Sequence, residues 1–306
     1  MVETRDEQSF AEWLQDGGKV EAGDWMPDAY RREAVKIAGF QAILEVVPMP
    51  MFYKFMCYAP SFRRKRILLA KVQDEIGHCH ITCRVLEDLG KPREALFQEY
   101  ADGRVHLNYP FHFPVDDWCE LPGMLLATNS AALVQFRSLA HGSYLPYVRA
   151  LRKILREESF HFYNALEWAH ELIKDGTPSQ RTKAEAGLRK WWHIAIYQFG
   201  PPEGTVSGAR DWRRWQIKVD ENEKLRQEWI TMMLPIFRSL GVDPDPRLQR
   251  APESDGWRYS PLDWQHFTRV IREDASPYHT WLNDEFKRFL REDAWVREAL
   301  DLTAAA

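Results

Sequence analysis

The tetrad Glu-x-x-His sets a carboxylate and an imidazole one helical turn apart. It occurs three times in this chain: Glu75/His78, Glu158/His161 and Glu167/His170. Residues three apart share a helix face, so each pair could offer two ligands to one metal ion. With 25 Glu and 10 His in 306 residues, such tetrads arise readily by chance, and facing decides their meaning. At 100° per residue, Leu151, Ile154, Leu155, Phe162, Ala165 and Ala169 fall within about 60° of Glu158, and His161 flanks the same apolar stripe. Glu75 lies on a matching stripe of Leu68, Val72, Cys79, Thr82, Leu86 and Leu89, again with His78 at its side. Glu167 and His170 point the other way, to solvent. Burying a carboxylate and an imidazole is costly unless each finds a partner. Two such pairs facing one core meet that demand together by holding metal.

Spacing suggests the remaining ligands. Glu45 ends a stripe of Ala34, Ala38, Gln41 and Ala42, thirty residues before Glu75. The corresponding position on the other half is Asn129, on a stripe of Leu125, Ala132, Leu133, Phe136 and Ala140; the place is right but the charge is missing. A donor set of carboxylates and imidazoles suits iron or manganese better than zinc. Cys79 and Cys83 beside His78 resemble half of a zinc site, but no second cysteine pair follows. The four cysteines (Cys57, Cys79, Cys83, Cys119) read as free thiols of a reducing cytoplasm. Lys71, one turn before Glu75 on the inner face, either snorkels outward or hydrogen-bonds a ligating carboxylate. Two basic runs, Arg63-Arg64-Lys65-Arg66 and Arg149/Arg152/Lys153/Arg156, flank the starts of the two metal helices. They read as solvated faces or as contacts to a phosphate-bearing substrate.

Helices must position these residues. The expected fold is all-α, a four-helix bundle with additional C-terminal helices. Pro27-Asp28 opens a helix running to Pro48 and Pro50; others cover about 61–89, 121–139 and 146–174, with a long crossover between the second and third. Further helical stretches lie near 180–199, 219–240, 262–274 and 278–300, and 241–261, with Asp243-Pro244-Asp245-Pro246, reads as a loop. Residues 1–23 read as a loose polar extension and 24–306 as one elaborated domain. The formal charge of −4 argues against phosphate-dependent nucleic-acid binding. No apolar run approaches a membrane span, and the polar, acidic start does not resemble a signal peptide. Nine of 13 tryptophans fall at or after position 191, beyond the metal helices. They read as rigid contact surface for extra helices and a partner subunit.

At these residues the chain resembles the oxygenase alpha subunits of bacterial phenylacetyl-CoA epoxidases, multicomponent di-iron monooxygenases of ferritin-like fold. The resemblance rests on Asp24-Trp25-Met26-Pro27-Asp28-Ala29-Tyr30-Arg31, on Arg63 to His78, and on Glu157 to His161. Weaker similarity continues through Trp191-Trp192, Phe199-Gly200-Pro201, the Asp243–Pro246 run, Asp263-Trp264-Gln265 and Trp295-Val296-Arg297-Glu298. It implies Glu45, Glu75, His78, Glu158 and His161 as ligands of two irons, and Lys71 as a lysine bridging carboxylates beside the metal. Two positions depart: the family carries Asp at Asn129 and an acidic residue at Phe52.

The implied activity is O2-dependent epoxidation or hydroxylation of the aromatic ring of an acyl-CoA, with Lys71 and Asn129 beside the metal. Arg63, Arg64, Lys65 and Arg66 would meet the substrate's phosphates. The implied partners are an iron–sulfur flavin reductase and a homologous structural subunit. The chain itself carries no dinucleotide fingerprint after a strand. Asn129 and Phe52 also motivate two other readings: a non-catalytic scaffold paralogue, and an oxygenase with altered metal (mononuclear iron or manganese–iron) and another substrate.

Overall fold

The computed structural model describes residues 6–203, 209–252 and 256–299, without the side chains of 209–211 and 293–299. The side chains of Trp295, Val296, Arg297 and Glu298 therefore lie outside it, as do residues 1–5 and 300–306.

Twelve helices make up the described chain: α1 (Glu7–Gln15), α2 (Asp28–Val46), α3 (Met49–Cys57), α4 (Phe62–Asp88), α5 (Arg93–Ala101), α6 (Leu121–Leu139), α7 (Leu145–Lys174), α8 (Pro178–Ala195), α9 (Ala209–Arg214), α10 (Asn222–Ser239), α11 (Trp264–Glu273) and α12 (Pro277–Ala299). A short antiparallel pair, β1 (Gln249–Arg250) and β2 (Trp257–Arg258), is the one sheet among the described residues. The bundle is α2, α4, α6 and α7, with α2 packed on α4, α6 on α7 and α4 on α7. This is the expected all-α, ferritin-like architecture.

Sequence and structure part company at four places. The N-terminal segment is not loose. Asp6 caps α1 by accepting from the Gln8 and Ser9 amides, and the helix buries Phe10, Ala11 and Leu14. The Phe10 and Tyr30 rings meet edge to face with centroids 5.3 Å apart, so a short amphipathic helix docks onto α2. Pro48 and Pro50 do not simply end a helix. They occupy the N-cap and first turn of α3, where a missing N–H costs nothing. The crossover holds α5 and a 3-10 turn at Tyr109–His112. The expected loop at 241–261 contains the β pair, anchored by buried Asp245, which accepts from the amides of Arg247 and Ser260.

One described stretch, Asp28–Cys57, is in fact long and apolar enough to cross a bilayer, at mean hydropathy 1.3 in its best window. Two thirds of that window is buried inside the protein, and α2 carries Glu45 on its inner face. Its apolarity is that of a core helix. Four of the tryptophans, Trp191, Trp192, Trp215 and Trp229, are fully buried, while Trp212, Trp257, Trp264 and Trp281 are partly exposed. Trp192 packs at 4.6 Å on Trp229, which fastens α10 against α8. These four serve the interior, and Trp215 packs on Phe10 and Tyr30.

Two glycines fix how closely α8 approaches α6. A Cβ at Gly123 would lie 2.9 Å from the Gly187 carbonyl carbon, and one at Gly187 would lie 2.9 Å from the Glu120 Cα. Both obstacles are backbone, so a methyl group can be accommodated only by moving a helix. Gly123→Ala is expected to lower stability by about 1–3 kcal/mol. A denaturation midpoint equal to wild type would show that the crossing gives way freely.

Candidate metal centre

Helices α4 and α7 present Glu75/His78 and Glu158/His161 to each other across the core, and all four side chains are buried. The two imidazoles are arranged alike. His78 Nδ1 faces Glu45 Oε2 at 3.5 Å, Glu158 Oε1 at 3.6 Å and Glu75 Oε2 at 3.9 Å. His161 Nδ1 faces Glu75 Oε1 and Glu158 Oε2, each at 3.5 Å. Glu75 and Glu158 thus turn one oxygen toward each histidine, the geometry of carboxylates shared between two ions. The ring centres are 6.2 Å apart.

Each histidine is aimed from behind by the opposite helix. His78 Nε2 donates to Glu157 Oε2 at 2.9 Å, and His161 Nε2 donates to Asp74 Oδ2 at 3.0 Å. A proton on Nε2 leaves Nδ1 as a lone pair directed into the site. Asp74 and Glu157 immediately precede Glu75 and Glu158, so the full pattern is acid-Glu-x-x-His. That doublet was a readable signal, and the tetrad alone did not use it. Asp74→Asn keeps the shape but removes the charge that fixes the His161 tautomer. It is expected to lower metal affinity about tenfold, within the range such partners command. Competition with a chelator measures this, and an unchanged affinity would show that the Asp74 carboxylate is idle.

Lys71 lies inside the ring of ligands. Its ammonium donates to Glu75, and it also reaches His161 Nδ1 at 3.3 Å and Asn129 Oδ1 at 3.4 Å. Phe52 puts its ring under the same ammonium, 5.0 Å from the centroid. Lys71 is buried and does not snorkel outward. On α2, Gln41 donates to Glu45 Oε1 at 3.1 Å and accepts from the Tyr147 hydroxyl. Sequence spacing identified neither Gln41 as an orienting group nor Tyr147.

Whether metal fits can be judged from charge and from atoms left over. Three buried carboxylates face one ammonium. Burial raises Glu45 above the usual carboxylate range and pushes Glu75 up to about 8, against the pull of Lys71. Burial would raise Glu158 too, but the Lys71 ammonium and the His161 imidazole hold it down at about 2. The pocket is short of positive charge. Its leftover atoms agree: His78 Nδ1 and Glu158 Oε2 are buried without a hydrogen-bond partner. A cation bound by Glu45, Glu75, His78 and Glu158, whose ligand atoms lie within 4.8 Å of one another, meets both needs. The half around His161 is weaker: it shares Glu75 and Glu158, and Asn129 brings no charge there. The Asn129 Nδ2 is itself buried without a partner.

Beside the ligands runs a cavity of about 590 Å³. Glu45, Glu75, Glu158, Lys71 and Asn129 form its floor, and Phe52, Phe136, Phe199 and Phe267 stand among its apolar walls. Among its polar lining are His106, Lys218, Asn222 and Arg272, with Lys218 and Arg272 the cations away from the ligands. None of Arg63, Arg64, Lys65 or Arg66 reaches it. Arg63 pairs with Glu167. Arg64 is buried, pairs with Glu171 and covers Trp168 at 5.0 Å, while Lys65 donates to the Cys57 carbonyl. Arg66 is exposed. The first run thus ties α4 to the far end of α7. Arg149 and Lys153 of the second run pair with Glu21 and Glu157. The thiols of Cys79 and Cys83 are 3.9 Å apart and free, and neither belongs to the ligand cluster that takes His78.

A four-helix bundle that directs two Glu-x-x-His pairs and a further glutamate into one buried, metal-suited pocket defines the ferritin-like carboxylate-bridged class. The chain matches the model of the family described as phenylacetic acid catabolic protein over residues 5–281. It is 34% identical over 294 residues to a 1,2-phenylacetyl-CoA epoxidase subunit of Escherichia coli (strain K12), covering 96% of this chain and 94% of that protein. The chain belongs to the phenylacetic acid catabolic protein family.

Proposed function

We propose that this protein is the oxygenase subunit of a multicomponent monooxygenase that epoxidises or hydroxylates the aromatic ring of an acyl-CoA such as phenylacetyl-CoA. The observation that carries this reading is the pair of facing Glu-x-x-His motifs at the floor of an aromatic-walled cavity. The relative's name, an epoxidase subunit, supports the reaction class and the presence of other subunits. The overall change adds one atom of O2 to the ring and releases the other as water, consuming two electrons and two protons. We assign the electron supply to an iron–sulfur flavin reductase and a structural role to a homologous subunit, working in the cytoplasm.

Glu45, Glu75, His78, Glu158 and His161 would hold two irons. When bound in the ferrous state, the pair supplies the electrons and the site for O2 activation. The chain's own residues do the rest. Asp74 and Glu157 keep both Nδ1 atoms deprotonated and aimed. Gln41 and Tyr147 hold Glu45 in one orientation. The phenylalanine walls exclude water and offer flat surfaces for a ring, and the cationic side of the cavity suits an anionic carrier. Arg272 and Lys218 replace the Arg63–Arg66 run in that role.

Asn129 and the Phe52 ring beneath Lys71 favour a second reading, in which the His161 half loads poorly and the chain holds a single ion or serves as a scaffold. One experiment separates them. The purified chain is reconstituted with ferrous iron, its metal content is measured, and it is incubated with the reductase, phenylacetyl-CoA and 18O2. Two irons per chain and one 18O per product are expected. Two irons without product would redirect the substrate assignment, and no bound iron in the assembled complex would leave the scaffold reading.

A further inference from the structure

A second cluster of metal-ligating groups lies outside the bundle centre, where three segments of the C-terminal half and the crossover meet. His112 sits in the 3-10 turn of the crossover, Asp274 in the corner between α11 and α12, and His279 in the first turn of α12. One ligand atom from each lies within 4.8 Å of the other two. His112 is buried, and the other two are partly exposed.

The hydrogen bonds of His112 do not close on their own. Its Nε2 faces the Leu107 carbonyl oxygen at 3.3 Å, which can only accept, so a hydrogen bond there puts the proton on Nε2. In a neutral imidazole Nδ1 is then a lone pair. Yet Nδ1 points at Asp274 Oδ2 from 2.9 Å, and a carboxylate is also only an acceptor. With the proton on Nδ1 instead, the Asp274 bond is made and the Leu107 oxygen is left, so a neutral ring satisfies only one of the two. A second proton on His112 is one solution. A metal ion is the other solution, and His279 supplies the third ligand. His279 Nδ1 is 3.9 Å from Asp274 Oδ2. It donates now to the Asp274 main-chain oxygen at 2.9 Å, a proton that metal would displace.

We propose that His112, Asp274 and His279 form a second metal site, taking one divalent ion of the zinc class through His112 Nδ1, Asp274 Oδ2 and His279 Nδ1, with water as fourth ligand. Tetrahedral zinc with bonds of about 2.0–2.1 Å needs donors about 3.4 Å apart. The two measured separations from Asp274 Oδ2, 2.9 and 3.9 Å, bracket that value. The Leu107 carbonyl behind His112 supplies the outer hydrogen bond that metal-bound histidines generally make. Asn283 leaves the outer side of His279 polar, at 3.5 Å. The bland alternative is a turn at the corner: Asp274 Oδ1 accepts from the Ser276 amide at 2.7 Å and Oδ2 from the Ser276 hydroxyl at 3.1 Å. It does not account for two imidazoles converging on Oδ2.

The position gives the ion a consequence. Phe267, Thr268, Ile271 and Arg272 of α11 line the main cavity, and so does Phe111, next to His112. An ion here clamps the α11–α12 corner to the crossover and fixes α11 over the cavity.

The test uses the full-length chain stripped with chelator and titrated with zinc alone. Wild type is expected to bind one more equivalent than His279→Ala at micromolar zinc. Cobalt in place of zinc should give a visible tetrahedral absorption that the variant lacks. Zinc should also raise the wild-type melting temperature by more than it raises the variant's. Equal zinc stoichiometry in wild type and variant overturns the proposal, whichever metals the bundle centre takes. Should His279→Ala lose its helical circular dichroism, His279→Gln, which keeps the bulk of the ring but changes its donor, replaces it under the same criteria.

Discussion

Glu158→Ala is expected to abolish metal loading while leaving the helices standing. Glu158 is the one ligand with an oxygen facing each histidine at nearly equal distance, 3.6 Å from His78 and 3.5 Å from His161. On the proposed two-ion reading, its loss would strip a ligand from both positions at once. The orienting partners behind such histidines command 10–100-fold in affinity, so a shared ligand should exceed about 100-fold. Oxygenation of the ring should fall by at least the same factor. The fold has reason to survive. Glu158 is one of three carboxylates buried around a single ammonium, and removing it relieves repulsion on Glu45 and Glu75 while Lys71 keeps both as partners. The measurement is a thermal melt with and without ferrous iron. At a hundredfold excess over its dissociation constant, iron should add about 2.7 kcal/mol to wild type and nothing to the variant. A variant that still melts higher with iron, at wild-type stoichiometry, would remove Glu158 from the ligand set.

How far the sequence could be read followed from what each feature depends on. The bundle and the inward direction of Glu75, His78, Glu158 and His161 depend only on local helical period, and each emerges from its own helix. Glu45 and Asn129 needed one more assumption, that the two halves of the bundle correspond, and the contact of both with the site agrees with it. The orienting acids Asp74 and Glu157 were legible in principle, since each precedes a ligand, but each serves the opposite helix and no single wheel displays that. The cavity's cationic side was not legible. Arg272 and Lys218 lie about 140–200 residues from the α4 ligands, and only tertiary folding brings them to the same space. The Arg63–Arg66 run misled for a related reason: closeness in sequence to a metal helix says nothing of which end faces the cavity. Arg64 is instead consumed by Glu171 and Trp168.

Asn129→Asp is expected to strengthen the His161 half of the centre by about 10–100-fold in metal affinity, the scale on which neighbouring carboxylates act. Asn129 Oδ1 stands 3.4 Å from the Lys71 ammonium, which also reaches His161 Nδ1 at 3.3 Å. In the present chain that ammonium occupies the His161 lone pair with a neutral amide on its far side. A carboxylate at 129 would draw Lys71 toward itself, free the imidazole, and add the negative charge that this half lacks. It would also remove the buried Nδ2 that has no partner. The Phe52 ring holds Lys71 from below and limits how far it can retreat elsewhere, so the new acid is its natural destination. Stepwise ferrous titration should show the first ion bound much as in wild type and the second bound more tightly, with the two steps closing toward one. If the second step does not move, the missing charge at 129 is not what weakens it. Lys71, fixed over Phe52 and paired with Glu75, would then be the controlling group.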